Sequence, residues 1–318
     1  MKTYLVKRLA LALVAVVGSS MLIFFIMRVI PGDPVSALLA QAELGLTLEE
    51  RQAMREQFGL HLPIYQQYLK WVGDVVTLDP GISLVRQTEV TSDFGRAFPV
   101  TAELTVLSLV FVIVFSLLLG TITAVRQDTW LDYVVRIIAI GGLAVPVFWI
   151  GIMVILALLF WFNYTNPLVY VPFTRDPVTN LQQFLLPAFI GSIRSIAICA
   201  RMVRSSMLDI LDEDSIRTAY AKGLRESVVI MRHGLKNAFL PVATLYGVSL
   251  IALFNGVVVV EVVFNLPGLG RLLVGAVAAR DYPTVQFLIL VSVVFASVIN
   301  LLVDLTYAML DPRIRVAG

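Results

Sequence analysis

Four carboxylates crowd into six residues, Asp209, Asp212, Glu213 and Asp214, and are followed by Ile216, Ala219 and Tyr220 at i, i+3 and i+4 spacing. That spacing predicts a short amphipathic helix with one apolar face. Acidic groups suit its positive end and Lys222 its negative end, and Gly223 can take the left-handed conformation that stops it. The periodicity restarts at Val228, Val229, Met231, Arg232 and Leu235, before Asn237 to Pro241 open a long apolar run. The order is helix, glycine stop, helix. Such a unit offers recognition chemistry and no catalysis. It could lie among lipid headgroups, drawn there by Arg217 and Lys222, or stand as a knob for a cytosolic partner. Anionic lipid would repel the carboxylates, whereas a protein socket accommodates both signs, so docking is the favoured reading.

A second set of residues is conspicuous for lying inside apolar runs, where polar groups are costly and normally face protein or water. Arg28 stands near one end of its run and can snorkel to the interface. Arg194 stands mid-run, which leaves open a pathway or inter-subunit ion pair on one side and a reach to the inner surface on the other. Asn255, Asn300 and Asp304 suit bonds between helices of the bundle, with Asp304 close enough to an end to be hydrated. Glu103 and Glu261 fall near outer ends, where a vestibule or a binding protein could meet them. Pro146, after Gly141 and Gly142, permits a bend, and those glycines also suit close helix packing. Pro267, Gly268 and Gly270 suggest a tight outer turn or re-entrant end near a gate. Trp149, Trp161, Tyr164 and Tyr170 suit an aromatic belt. No His-Glu-x-x-His, Gly-x-Ser-x-Gly or G-x-x-x-x-G-K-[ST] motif occurs, which argues against an intramembrane enzyme or an ATPase.

The elements that position these residues follow from composition. Of 318 residues, 58% are hydrophobic and 14% charged, with mean hydropathy +0.88. A soluble chain carries roughly 25% charged residues, so a membrane protein is indicated. The single cysteine excludes a disulfide framework, and two histidines leave little for a metal site. Six runs read as spans: Leu9 to Ile30, Thr101 to Val125, Ile137 to Phe162, the weaker Phe184 to Arg204, Ala238 to Phe264 and Val285 to Leu310. The first exceeds a signal-peptide core and is read as a retained helix. Lys and Arg distribution then puts both termini inside. The net charge of +2 gives no sign of a nucleic-acid partner. One long outer segment, 31–99, is of soluble composition, with amphipathic helices expected at Leu48 to Phe58 and Pro63 to Val76. Leu48, Ala53, Met54 and Phe58 would form one apolar side and Tyr65, Tyr68, Leu69 and Val72 another. So small a unit should pack on the spans rather than fold alone.

The stretch Glu213-Asp-Ser-Ile-Arg-Thr-Ala-Tyr-Ala-Lys-Gly223, with Arg232-His233 and Lys236-Asn-Ala-Phe-Leu-Pro241, resembles the cytoplasmic loop of ABC importer permeases, specifically the dipeptide, oligopeptide and nickel branch. Three other motifs agree, in order: Arg28-Val-Ile-Pro-Gly-Asp-Pro34, Glu261-Val-Val-Phe-Asn-Leu-Pro-Gly-Leu-Gly-Arg271 and Arg280-Asp-Tyr-Pro283. The resemblance runs nearly end to end. Where the broader importer pattern has Glu-Ala-Ala, this chain has Arg217-Thr218-Ala219, and its Leu240-Pro241 falls later, as is usual for the peptide branch. Arg194 departs from the small or apolar residue expected there.

The resemblance implies an all-α type I importer permease fold: a first helix within 1–30, a periplasmic helical segment 31–99, a transmembrane core 100–310 with a coupling loop at about 205–236, and a cytoplasmic tail 311–318. It implies that Glu213, Asp214, Ile216, Arg217, Thr218, Ala219, Tyr220, Lys222 and Gly223 form a coupling helix seated in an ATPase. Arg194, Asn255, Glu261, Pro267, Gly268 and Asn300 are its candidate pathway or gate residues. The implied partners are a second, similar permease chain, two ATP-binding subunits that use ATP and Mg, a periplasmic or lipid-anchored substrate-binding protein, and the lipids of a bacterial or archaeal membrane. No cofactor would bind this chain directly. The alternative reading is a self-sufficient secondary transporter, weakened by sparse intramembrane carboxylates.

Overall fold

The computed structural model describes residues 2–29, 47–57, 59–165, 167 and 169–310. The Ile30 to Pro34 part of the first motif, Phe58, the side chains of Leu48 and Met54, and the tail 311–318 lie outside the described residues. The described chain is almost wholly helical, its only sheet-like feature being a single antiparallel bridge between Ile82 and Glu89. Two compact units are distinguished, residues 1–100 with 267–301 and residues 101–266 with the chain end from Leu302.

In the first unit, α1 (Lys2–Val29) supplies Ile23, Phe24 and Met27 to a core shared with Trp71 of α3 (Ile64–Val76), Ala276 of α10 (Leu269–Ala278) and Tyr282 and Val285 of α11 (Tyr282–Leu310). Of the 31–99 segment, α3 therefore packs on α1 and α11. Its face is shifted from the expected one. Tyr68, Trp71, Val72 and Val75 turn inward, while Tyr65 and Leu69 are exposed. Trp71 is the reason, because its bulk sets which side of α3 faces Phe24, 5.8 Å away between ring centroids. In α2 (Leu48–Gln57), Ala53 is exposed as well.

α4 (Val90–Val125) begins well before the expected Thr101 and runs unbroken through Pro99, so the outer segment merges into the second long helix. The expected third span is two helices, α5 (Trp130–Ala144) and α6 (Val147–Phe162), bent by 106° at Val145 and Pro146. Proline at the start of α6 supplies the break, since it cannot donate to the preceding turn. Gly142 also fills the packing role, because a Cβ there would stand 2.8 Å from Ile193 Cγ2. Among the described residues, five helices are long and apolar enough to cross a membrane, or six if the bent pair counts as one.

The weakest run in the sequence proves the most enclosed element. α7 (Pro177–Leu211) is 61% buried over its apolar window, against 17–33% for the others. Its polar residues Asn180, Gln183, Ser192, Ser195 and Ser206 face protein rather than lipid, which is why its hydropathy is low. It packs against α9 (Lys236–Val263) through Ile196, Cys199, Val203 and Met207 facing Ala238, Val242, Tyr246 and Leu253.

Candidate coupling site

Asp214–Ala221 form α8, with Glu213 in extended conformation at its N-cap. Only Glu213 and Asp214 of the four clustered carboxylates lie at this positive end. Asp209 falls in the last turn of α7, and Asp212 is that helix's C-cap. Leu224 N–H donates to Ala219 O at 3.3 Å and Gly223 N–H to Tyr220 O at 2.9 Å, a Schellman stop with Gly223 at φ +75°. A Cβ at Gly223 would meet nothing within 4 Å, so backbone angle, not space, selects glycine.

Ile216 and Ala219 are buried against Val229, with Ile210 and Leu211 alongside. Tyr220, expected on this face, is 46% exposed. The i+4 position rotates past the narrow seam that Val229 offers, so Tyr220 joins Glu213, Asp214, Arg217, Thr218 and Lys222 on the free side. Arg217 reaches Asp214 at 3.3 Å, but both are so exposed that the pair stabilises little and stays available to a partner.

After Gly223 the chain resumes with a helical turn Glu226–Val228, a π-helical segment Val229–Leu235, and α9. Gly234 permits the close passage of this segment over α7, since its Cβ would lie 3.1 Å from Met207 Cε. α8 is thus a short rigid rod with one side clamped and the other free.

The polar span residues divide sharply. Glu261 is fully buried and accepts a hydrogen bond from Thr101 Oγ1 at 2.6 Å, which overturns its expected exposure to a vestibule. Its carbonyl also closes α9, accepting from Leu266 N–H at 2.8 Å while Asn265 takes φ +57°. The turn thus lies at Phe264 and Asn265, just before the expected Pro267, and Pro267, exposed, and Gly268, buried at the N-cap, lead from it into the short helix α10. Asn255 and Asn300 are exposed, and neither bonds across helices among the described residues, contrary to the tying role expected of them. Arg194 is exposed without an ion pair among the described residues. Arg28 is tied locally: its Nε and Nη2 donate to Gln67 Oε1 at 3.0 and 2.7 Å, and its guanidinium lies 3.4 Å from the Phe24 ring centroid.

Three networks were missed in the sequence. Asp132, wholly buried, accepts from Arg136 at 2.8 Å and from Arg204 at 2.9 and 3.1 Å, joining α5 to α7. The i,i+4 pair with Arg136 is a visible signal; Arg204 is not. Asp281, in the Arg-Asp-Tyr-Pro motif, accepts from Ser83 Oγ, Leu84 N–H at 3.1 Å and Thr284 Oγ1 at 2.8 Å, fixing the outer loop to the start of α11. Gln183 accepts from Val171 N–H, and its amide donates to the Pro167 and Val169 carbonyls, tying these three loop residues to α7. In that loop Tyr170 packs edge-on to Phe184, 6.1 Å between ring centroids. Burial, then the Glu103 charge, raises its phenol above its ordinary value. Trp149, Trp161 and Tyr164 are exposed, as an interfacial belt requires.

Residues 116–316 match the family model for the binding-protein-dependent transport system inner membrane component, and residues 1–105 match the model for the N-terminal part of such components. The chain is 36% identical to the oligopeptide transport system permease protein AppB of Bacillus subtilis over 99% of its length and 100% of the relative. It is 36% identical to the glutathione transport system permease protein GsiC of Escherichia coli K12, and 33% identical to the di/tripeptide transport system permease protein DppB of Pseudomonas aeruginosa, each over 99% of both chains. The chain belongs to the family of binding-protein-dependent transport system inner membrane components, a family of ABC importer permeases rather than self-sufficient secondary transporters.

Proposed function

We propose that this chain is one half of the translocation pathway of a peptide importer in a bacterial or archaeal cell membrane, with both termini cytoplasmic. The solute is a peptide or similar small molecule delivered by an external binding protein. A second homologous permease chain completes the path, and two ATP-binding subunits supply energy using ATP and Mg. No cofactor and no ATPase site are assigned to this chain. Segments 1–30, 31–99, 100–310 and 311–318 serve as first helix, outer segment, core and tail, with the coupling loop at about 205–236.

The observation that carries this reading is α8. Ile216 and Ala219 anchor one side to Val229, while Arg217, Thr218, Tyr220 and Lys222 stand free on the other. A rod so held transmits a displacement to α7 and α9, where a flexible loop would absorb it. ATPase closure would push on the free side and shift the helices on which the clamped side rests. Arg194, Asn255, Pro267, Gly268 and Asn300 remain candidates for the pathway or the second chain. Glu261 would act by holding the outer end of α9.

The test is ATP-driven uptake of a labelled tripeptide by the reconstituted complex. Gly223→Pro cannot hold φ +75° and loses an N–H, and Ala219→Glu places a charge in the buried seam; both should abolish uptake while the complex still assembles. Charge reversal at Arg217 should weaken ATPase binding without altering solute preference. Unchanged uptake in assembled Gly223→Pro and Ala219→Glu complexes refutes the coupling role, and transport by the chain alone without ATP refutes the importer reading.

A further inference from the structure

The enclosed helix α7 carries one exposed stripe that its packing does not use. Arg194, Ile198, Arg201 and Ser205 are exposed and recur at intervals of four and three residues, which is one face of a helix. Ser195, Ile196, Ala197, Cys199, Ala200 and Val203, interleaved with them, are buried. Arg194 stands at the midpoint of α7, which has Asp176 capping one end and Asp209 and Asp212 at the other. A helix of 35 residues is about 52 Å long, against roughly 30 Å of hydrocarbon in a bilayer. With the charged ends in water, Arg194 falls near mid-membrane, and Arg201, about 10 Å further along the axis, also lies within the hydrocarbon depth. Neither has an ion pair or hydrogen bond among the described residues. Arg204 on the same helix is the contrast, because buried Asp132 accepts from it at 2.9 and 3.1 Å.

Two unpaired guanidiniums at this depth cannot face hydrocarbon, so water or a carboxylate from outside the chain must meet them. The stripe also sits on the element that coupling moves. α7 ends at Leu211 and α8 begins at Asp214, so a push on α8 displaces α7, and a group bound to the stripe is gripped and released as the ATPases close and open. We propose that Arg194 and Arg201 face the solute path and hold carboxylates of the passing peptide by paired N–H···O bonds, so that the path favours acidic peptides over basic ones. An extended tripeptide spans about 10 Å, so a carboxylate leaving one arginine is within a peptide length of the other. The assignment rests on the importer reading, which makes α8 the element that the ATPases push.

Ile198, 37% exposed between the two arginines, allows a test that leaves both in place. The reconstituted complex carrying Ile198→Cys is treated with an anionic sulfonatoethyl and a cationic trimethylammonioethyl methanethiosulfonate. The parent, whose Cys199 is fully buried, is the blank. The introduced thiol should react with both reagents, about tenfold faster with the anionic one, and trialanine with ATP and binding protein should slow the reaction. Adding Arg194→Gln or Arg201→Gln should remove most of the bias. In ATP-driven uptake, Arg194→Gln should lower the preference for Ala-Glu-Ala over Ala-Lys-Ala about tenfold relative to the parent, and Arg194→Lys, which keeps the charge, should retain most of it. The binding protein is the same in every complex, so the change belongs to the permease. If Arg194→Gln abolishes uptake of both peptides, the labelling bias decides. A thiol inert to both reagents in a complex that still transports puts the stripe against lipid or the second permease chain and overturns the proposal. Equal reaction with both reagents overturns it too, as does peptide preference indifferent to both glutamine variants. Uptake by this chain alone without ATP sinks the importer reading instead, whatever the labelling shows.

Discussion

Gly120→Ala should destabilise the chain at the crossing of α4 and α7, and the structure gives the size of the effect. A Cβ at this position would stand 2.5 Å from Val203 Cβ, 2.6 Å from Val203 Cγ1 and 2.7 Å from Ala200 O. Unbonded carbons rest at about 3.5–4.0 Å, so the helices must part by roughly 1 Å here. Two of the three obstacles, the Val203 Cβ and the Ala200 carbonyl, cannot rotate away. Overpacking of this kind costs about 1–3 kcal/mol, and the upper end applies because Val203 is wholly buried between neighbours. Alanine's better helix propensity returns up to about 1 kcal/mol. The net expectation is a loss of about 1–2 kcal/mol. Gly256→Ala is the internal control. It lies within α9 with nothing within 4 Å of its Cβ, so it should gain what propensity offers, up to about 1 kcal/mol. Thermal unfolding of both variants in one detergent decides the matter. Val203→Ala in the Gly120→Ala background should restore only part of the loss, because it removes the Cγ1 clash and leaves the other two. A Gly120→Ala protein as stable as its parent, with Gly256→Ala no better, refutes the reasoning.

Asp132→Ala leaves Arg204 and Arg136 without their shared carboxylate; a broken buried pair costs about 3–5 kcal/mol, and partial exposure of the two arginines reduces this to about 2–3 kcal/mol, read as a lower melting temperature. Leu78, 76% exposed at φ +61°, ends α3 in a left-handed conformation, so Leu78→Gly should stabilise the outer segment by up to about 1 kcal/mol, seen as slower proteolysis there. Asp176 caps α7, and its bonds from the Thr179 hydroxyl, then from the Thr179 and Val178 amides, hold its carboxyl below the ordinary 3.8. Because the folded value is the lower one, its stabilisation is present above the unfolded value and is lost as pH falls through the folded value. Asp176→Asn should therefore show a smaller decline in melting temperature below about pH 4 than the parent does.

What could be read in the sequence was local. The Gly223 stop is made by hydrogen bonds reaching three and five residues back, and Pro146 acts on its own turn, so residue type at one position announces both. The networks that anchor the helices pair residues 72, 160 and 198 positions apart, Arg204 with Asp132, Thr101 with Glu261, and Ser83 with Asp281. No periodicity encodes such partners. Tyr220 shows the same limit at short range. Its spacing from Ile216 is right for a shared face, but Val229 covers only enough of α8 for Ile216 and Ala219.

Low hydropathy carried opposite meanings in different helices. In α7, polarity belongs to the inside, where Asn180, Gln183 and Ser192 are wholly enclosed. In α9 and α11 the buried face is largely apolar, with Ser249, Glu261, Thr284 and Gln286 as its polar members, and Asn255 and Asn300 stand on the exposed surface of the chain, as Arg194 does on α7. Hydrocarbon cannot satisfy an amide or a guanidinium, and an unsatisfied polar group there costs several kcal/mol. The isolated chain is therefore a poor tenant of a bilayer at those three positions. A second permease chain, or a water-filled path between the two, removes the penalty. Asn255→Leu and Asn300→Leu should accordingly be tolerated in folding of the single chain and expressed in the complex, as weakened pairing of the permease chains or altered uptake. If both variants transport and assemble like the parent, those faces meet lipid after all.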